Sequence, residues 1–567
     1  MRFGAPDEPL KRGGKRCSCL AFLSRVPGRL SRKELLPGTR SSRMTGRQGV
    51  PISRGARKKP LFRNHLPLVE KSHAPLLVEK EPMRPTLRLL DDELIEKIVA
   101  EARELLCTLG AEIHNPTVLR MLADHGAEVA EEKCHARFTP AMIDNALRTV
   151  PHSFKLYDVL GNETHHFVGN NVYFTPGSAA INILDSQTGS LRRPTTEDYI
   201  RYVKVVSGLP HIASQSTALI PADVHENISD SYRLYLSLLY GEKPVVTGAF
   251  TIESFEVMKE LQVAVRGSAQ ALKEKPLTVF SCCPTAPLKW SDVTSQNLID
   301  CARWSIPVEF VSMPLSGFMA PVTLVGSLIQ QTAETLSGIV ISQLTNPGHP
   351  ILYGGSPAIF DVRYETTPMG AVETAMLNCA NSEIGKRLGM PTQGYISLSD
   401  AKQLDAQAGL ETTLGAILAA LSGINSISGP GMLDFESCQS LEKLVVDNEI
   451  CGMTYRLVRG IEPREDFPAI ALFQEFLREK HLLIAEHTRR YLRDEITFPG
   501  PVIDRANRAR WLKEGGTTLR ERAEREVARL IDRYTPSRLA ENVKTELTRM
   551  MECEARRYGM DNLQASV

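Results

Sequence analysis

No stretch of the 567 residues reaches the roughly 18 uncharged apolar positions in a row that a membrane-spanning helix needs. Cysteine is sparse and unpatterned: 11 residues, an odd number, with no C-x-x-C pair. That argues against a disulfide framework, and it fits reduced thiols packed as small apolar side chains in a cytoplasmic protein. Cys134-His135 stands without further ligands at zinc spacing, so no metal site is expected. Also missing are the G-x-x-x-x-G-K-[ST] phosphate loop, a G-x-G-x-x-G following a strand, H-E-x-x-H and G-x-S-x-G. Their absence sets aside P-loop nucleotide hydrolysis, dinucleotide oxidoreduction, HExxH-type metalloproteolysis and α/β-hydrolase chemistry.

Net charge is nearly absent too, at +1, but it is unevenly spread. Residues 1–82 hold 19 Lys and Arg against 6 Asp and Glu, leaving 48 against 60 for the rest. A basic head invites a nucleic-acid or membrane reading, yet no RNA- or DNA-reading motif accompanies it. The head is rich in Pro, Gly, Ser and Arg and has no sustained apolar period. It buries too little surface to offset the entropy of ordering. Residues 1–82 are therefore expected to be a disordered extension, or to lie upstream of a true start at Met83.

What the chain does have is 42% hydrophobic and 23% charged residues, the composition of a soluble enzyme. From Asp91, apolar residues Leu94, Ile95, Ile98, Val99, Ala102, Leu105 and Leu106 recur at helical spacing. Helices are also expected at Asn115–Ala123 and at Pro140–Ala146, where Thr139-Pro140 supplies cap and first turn. Phe154–Val159 and Asn171–Phe174 look like short strands. Residues 83–165 thus form an expected N-terminal helical cap. Beyond them, strand-like runs (244–250, 277–281, 308–312, 351–353) alternate with helical ones (230–239, 252–265, 296–302, 325–343). Such alternation predicts parallel α/β organisation. The length of the 166–500 region suits a (β/α)8 TIM-type barrel, with an open doubly wound sheet as the alternative. Residues 501–567 are charged and helical, a C-terminal segment compatible with self-association.

Sequence blocks in order then resemble the trimethylamine methyltransferase family, from about Leu87 to Ile461. They include Leu109-Gly-Ala-Glu-Ile113, Pro151-His-Ser-Phe154, Cys282-Cys-Pro-Thr-Ala-Pro-Leu288, Ala320-Pro-Val-Thr-Leu-Val-Gly326 and Ala333-Glu-Thr-Leu-Ser-Gly338. Tyr353-Gly-Gly-Ser356, Ser399-Asp-Ala-Lys402, Asp405-Ala-Gln-Ala-Gly409 and Leu444-Val-Val-Asp-Asn-Glu449 follow. The resemblance implies a TIM barrel that moves a methyl group from a methylated amine to a corrinoid (cobalamin) carried on a separate protein. The chain itself lacks the D-x-H-x-x-G cobalamin loop, since Asp124-His125-Gly126 does not match it.

Residue 398 departs from one branch of that family. Where pyrrolysine members read Thr-pyrrolysine-Ser-Asp-Ala-Lys, this chain reads Ser397-Leu398-Ser399-Asp400-Ala401-Lys402. Demethylating a tertiary amine requires its lone pair to be engaged, and leucine has no electrophile to do so. A quaternary ammonium carries the charge already and leaves as a neutral tertiary amine. The implied substrate is therefore a glycine betaine-like or other trimethylammonium compound, handled by positioning and desolvation. Aromatic faces and carboxylates suit such a cation. The candidates are Phe174, Tyr353, Phe360 and Tyr395, with Asp400 and Glu334 as carboxylates and Leu398 as a pocket wall. Lys402 could pair with Asp400 or Asp405, or hold a substrate carboxylate, and His487 resembles a late family histidine. Core packing, helix capping and a polar helix face are the competing explanations for these side chains. A barrel that binds methylated amines without turnover is the alternative function.

Overall fold

The computed structural model describes residues 83–186, 188–560 and 563, so the expectations for 1–82 lie outside the described residues. Eight short strands succeed one another along the chain: β1 (Tyr173–Thr175), β2 (Gln215–Ser216), β3 (Val245–Thr247), β4 (Thr278–Cys282), β5 (Val308–Phe310), β6 (Ile351–Leu352), β7 (Gln393–Tyr395) and β8 (Ser426–Ser428). Between and after them run α1 (Thr196–Ser207), α2 (Ser229–Tyr240), α3 (Ile252–Arg266), α4 (Asp292–Trp304), α5 (Leu324–Thr345), α6 (Val372–Arg387), α7 (Ala406–Leu421) and α8 (Leu441–Arg459). Parallel ladders join β2 through β6 in order, and join β7 to β8 to β1. The two remaining gaps are bridged. Tyr353 and Thr392 form a parallel bridge between β6 and β7, and the Ala213 amide donates to the Phe174 carbonyl at 2.8 Å between β1 and β2. The ring closes as a (β/α)8 barrel, not an open sheet.

Strand alternation sorts the side chains into two populations. Phe280 and Phe310 point outward: Phe280 meets Phe255 of α3 edge-on at 5.8 Å, and Phe310 meets Trp290 at 6.2 Å. Val246, Val279 and Leu352 point inward and form a small separate core with Leu156 and Phe167. The last two belong to the antiparallel hairpin Phe154–Tyr157/Glu163–Phe167, which plugs the N-terminal end of the barrel. In the same plug, buried His165 pairs its Nε2 with the Ser214 hydroxyl at 3.0 Å. The open end is therefore the C-terminal one.

The segment 83–165 contains the expected helices, at Asp92–Thr108, Pro116–Asp124 and Pro140–Thr149. Asp91, Asn115 and Thr139 cap them by accepting the amides of Leu94, Val118 and Met142. It also holds strands Ala111–Ile113, Glu128–Ala130 and His135–Arg137, too short to carry a readable period. Ala111–Ile113 pairs in parallel with Lys289–Trp290 beyond β4, which stitches this segment onto the barrel.

After α8 come α9 (Ile470–Glu479), α10 (Glu486–Glu495), α11 (Leu519–Asp532) and α12 (Glu541–Arg557). α11 packs on α8 and α1, and α12 on α2 and α3. Among the described residues no helix is long and apolar enough to cross a membrane.

Candidate active site

Surface clefts of about 320 and 400 Å³ lie outside the barrel, one beside Met121 and Arg303, the other beside Trp511 and Arg522. Neither is lined by a buried side-chain polar atom that lacks a partner. The barrel lumen is different. Glu309, in the middle of β5, is fully buried, and its register partner on β4 is Ser281. The Ser281 hydroxyl donates to Glu309 Oε1 at 2.7 Å, while Oε2 has no partner. Burial pushes this carboxyl up to about 7, opposed only by the Ser281 hydrogen bond. A buried carboxylate oxygen without a donor is costly, and such atoms call for an explanation.

Two and three strands further round the ring, β7 contributes Gln393 and Tyr395, and β8 contributes Ser426 and Ser428 in register with them. Gln393 Oε1 accepts the Gly355 amide at 3.1 Å, but its Nε2 has no acceptor. A Cβ on Gly354 would lie 2.4 Å from Gln393 Oε1, so only glycine lets this amide sit where it does. Tyr395 exchanges a hydrogen bond with Ser178 at 3.0 Å. Its hydroxyl is pushed far up by burial, then by the nearby charges of Glu309 and Glu436. The buried hydroxyls of Ser356, Ser397 and Ser428 also lack partners. One acid and several neutral groups thus stand buried and unpartnered on or just beyond the strands of the ring.

Of the residues expected from sequence, Tyr395 faces this lumen. Leu398, Asp400 and Lys402 gather just beyond β7 at the open end. Leu398 is fully buried, backed by Gly429 (φ +132), where a side chain would come within 3.0 Å of the Leu398 Cβ. Asp400 accepts the Met369 and Gly370 amides at 2.9 and 2.8 Å, one on each oxygen, and burial pushes it to about 6. It holds the loop that leads into α6. Lys402 pairs with Asp434 at 3.1 Å and lies 3.7 Å over the Phe435 ring, so it joins the β7 and β8 loops. Asp405, the other partner considered for it, instead caps α7 by accepting the Gln407 and Ala408 amides. Phe360, beyond β6, stacks at 4.7 Å on Phe318, which is 63% exposed at the rim.

The structure corrects other expectations. Phe174 and Tyr353 do not line a pocket, because alternation turns both outward into the helix layer. Phe174 meets Tyr455 of α8 at 5.3 Å, and the Tyr353 hydroxyl donates to Thr332 of α5 at 3.2 Å. Glu334 is not free to act on substrate: Oε1 accepts the Leu288 amide at 2.9 Å and the Gln330 side chain at 3.0 Å, and Oε2 accepts the Ser312 hydroxyl. It fastens the 282–288 turn to α5. His487 belongs to α10, where its ring packs on Tyr491, and it does not join the lumen group. Glu309, Ser281, Gln393 and Ser428 were missed. The available signal was a charge set within Val308-Glu-Phe-Val-Ser312, an otherwise apolar strand-like run.

Residues 55–559 match the model of the trimethylamine methyltransferase family. The chain is 27% identical over 469 residues to a trimethylamine methyltransferase of Desulfitobacterium hafniense, covering 83% of this chain and 94% of that one. It is likewise 27% identical over 465 residues to a glycine betaine methyltransferase of D. hafniense strain Y51, covering 82% and 96%. Among solved structures, the Methanosarcina barkeri monomethylamine methyltransferase aligns over 84% of this chain and 89% of its own, at 14% identity and a TM-score of 0.43.

Proposed function

Since the chain belongs to the trimethylamine methyltransferase family and is a methyltransferase, we propose that it demethylates a quaternary ammonium compound of the glycine betaine type, with a corrinoid on a separate protein as methyl acceptor. The observation that carries this reading is the lumen's polarity pattern. Glu309 Oε2 supplies a buried, unpartnered negative pole for the ammonium. Gln393 Nε2 and the Ser428 hydroxyl, two and three strands further round the ring, supply neutral donors for a carboxylate. A zwitterion satisfies both ends at once, whereas trimethylamine leaves the donors bare.

The reduced corrinoid, when its carrier protein docks, supplies a Co(I) nucleophile. The breaking C–N bond leaves its electron pair on nitrogen, which departs as a neutral tertiary amine, so no proton has to be delivered. The protein's task is then to hold the ammonium and exclude water. Glu309 and Tyr395 hold the head group, and the hairpin plug closes the far end. Leu398 offers no electrophile to a tertiary amine. The exposed Phe318, Val322 and Tyr364 on the loops beyond β5 and β6 form an apolar rim fitted to a large acceptor arriving at the open end.

The test offers glycine betaine, carnitine, proline betaine and trimethylamine separately to the protein with reduced cobalamin on its cognate carrier, and follows the corrinoid absorbance. Turnover with a quaternary amine and none with trimethylamine is expected. Turnover with trimethylamine alone would overturn the substrate assignment. Tight binding of a quaternary amine without any methyl transfer would favour a methylated-amine-binding barrel instead.

A further inference from the structure

The barrel and its helices bury their apolar faces in one large core, but the segment from 461 to 498 does not. Neither α9 nor α10 has a buried residue. Yet α9 carries Ile470, Phe473 and Leu477 at i, i+3 and i+7, the stripe of a helix that packs against something. All three are exposed, as are Phe467, Leu483 and Ile484 nearby. The hairpin is nonetheless held in place: Glu495 at the end of α10 binds Arg456 of α8 at 3.3 Å and Arg464 at 2.8 Å. It is a presented face, rimmed by ion pairs such as Arg478–Glu479 and Arg490–Glu465.

We infer that the 461–498 hairpin is the contact through which two copies of this chain pair. Its apolar exposure decides the size of the occupant. At ~150–200 Å² per large apolar side chain, the exposed fractions of these six residues come to roughly 600–850 Å². A typical monomer leaves patches of ~300–600 Å², and a stable interface takes ~800 Å² from each partner. The position decides its identity. Helices of a (β/α)8 barrel run against the strands, so α8 starts at the open end and finishes at Arg459 on the plugged end. The hairpin leaves from there, whereas a protein that exchanges a group with the lumen must sit at the open end. A two-helix amphipathic face also complements itself: two such hairpins about a two-fold axis bury each other's stripes as a four-helix arrangement.

Residues 1–82 are the competing occupant, because the chain enters at Met83, whose carbonyl oxygen lies 2.9 Å from the Cβ position of Gly460. Sedimentation equilibrium on the full-length chain, a chain lacking residues 1–82, and full-length variants distinguishes these cases. Full-length and shortened chains are both expected at twice the chain mass at micromolar concentration. Phe473→Glu with Leu477→Glu is expected to halve that mass with an unchanged circular dichroism spectrum, since both sites are exposed in the single chain. Phe318→Glu with Val322→Glu, at the open end, is expected to leave the dimer intact. A full-length monomer that dimerises only after removal of residues 1–82 would overturn the inference in favour of the N-terminal segment. So would a monomer under all conditions, or a dimer that survives the α9 substitutions and dissociates with those at Phe318 and Val322.

Discussion

Glu309 has one oxygen bound to Ser281 and one bare, in a fully buried place, and that imbalance governs its charge. Its folded-state value of about 7 stands above the ordinary 4.5. The folded chain therefore holds the proton more tightly than the unfolded one. The stability this contributes is complete below about pH 4.5 and is lost as pH rises through 7, a difference of roughly 3 kcal/mol. Glu309→Gln keeps the shape without the charge. Thermal unfolding is expected to show the variant melting above the wild type at pH 8 and close to it at pH 5. Titration calorimetry is expected to show at least a tenfold loss of affinity for a quaternary amine. A bound ammonium favours the carboxylate, so binding below pH 7 should release a proton, and affinity should climb about tenfold per pH unit up to about 7 and then level off. Affinity unmoved by both pH and the substitution would place the cation elsewhere.

Single elements show how the lumen is kept in order. Glu334 looks catalytic on paper, a carboxylate in a family-like block, but it ties α5 to the turn beyond β4 through the Leu288 amide and the Ser312 hydroxyl. Glu334→Ala would leave the Leu288 amide without an acceptor and the Ser312 hydroxyl with only its 3.4 Å bond to Gln331, at a cost of roughly 2 kcal/mol. Calorimetry is expected to show a marked drop in melting temperature, with the order of substrate preference retained. An unchanged melting temperature with lost turnover would make Glu334 a participant in the chemistry. The strands themselves differ in how openly they announce themselves. β3 to β6 carry apolar runs such as Pro244-Val-Val and Leu277-Thr-Val-Phe, and these were legible. β7 (Gln-Gly-Tyr) and β8 (Ser-Ile-Ser) are three residues long and polar on the inward face, so they read as loops. They are also the strands that donate Gln393, Tyr395 and Ser428 to the site. Function and legibility pulled against each other there.

At the scale of the molecule, the near-zero net charge divides into a basic head, residues 1–82, and an acidic body. The composition of residues 1–82 offers no apolar period with which to join a core. The barrel is closed by its own strands, plugged by its own hairpin, and enclosed by α1 to α8 and the N-terminal helices. Deleting residues 1–82 is therefore expected to leave the melting temperature of the body unchanged in differential scanning calorimetry. A loss of several degrees would show that the head packs against the body.

Read alone, the sequence determined the class of architecture, the family and the missing electrophile at residue 398, because each is a property of local periodicity or of residue identity in order. It could not decide which way a strand side chain points. Phe174, Tyr353 and Tyr395 looked alike as aromatics near strand ends, and a single step of alternation sends the first two into the helix layer and the third into the lumen. Nor could it separate a carboxylate with every oxygen engaged, Glu334, from one with an oxygen to spare, Glu309. Those outcomes depend on partners far apart in the chain, brought together only when the ring of strands closes.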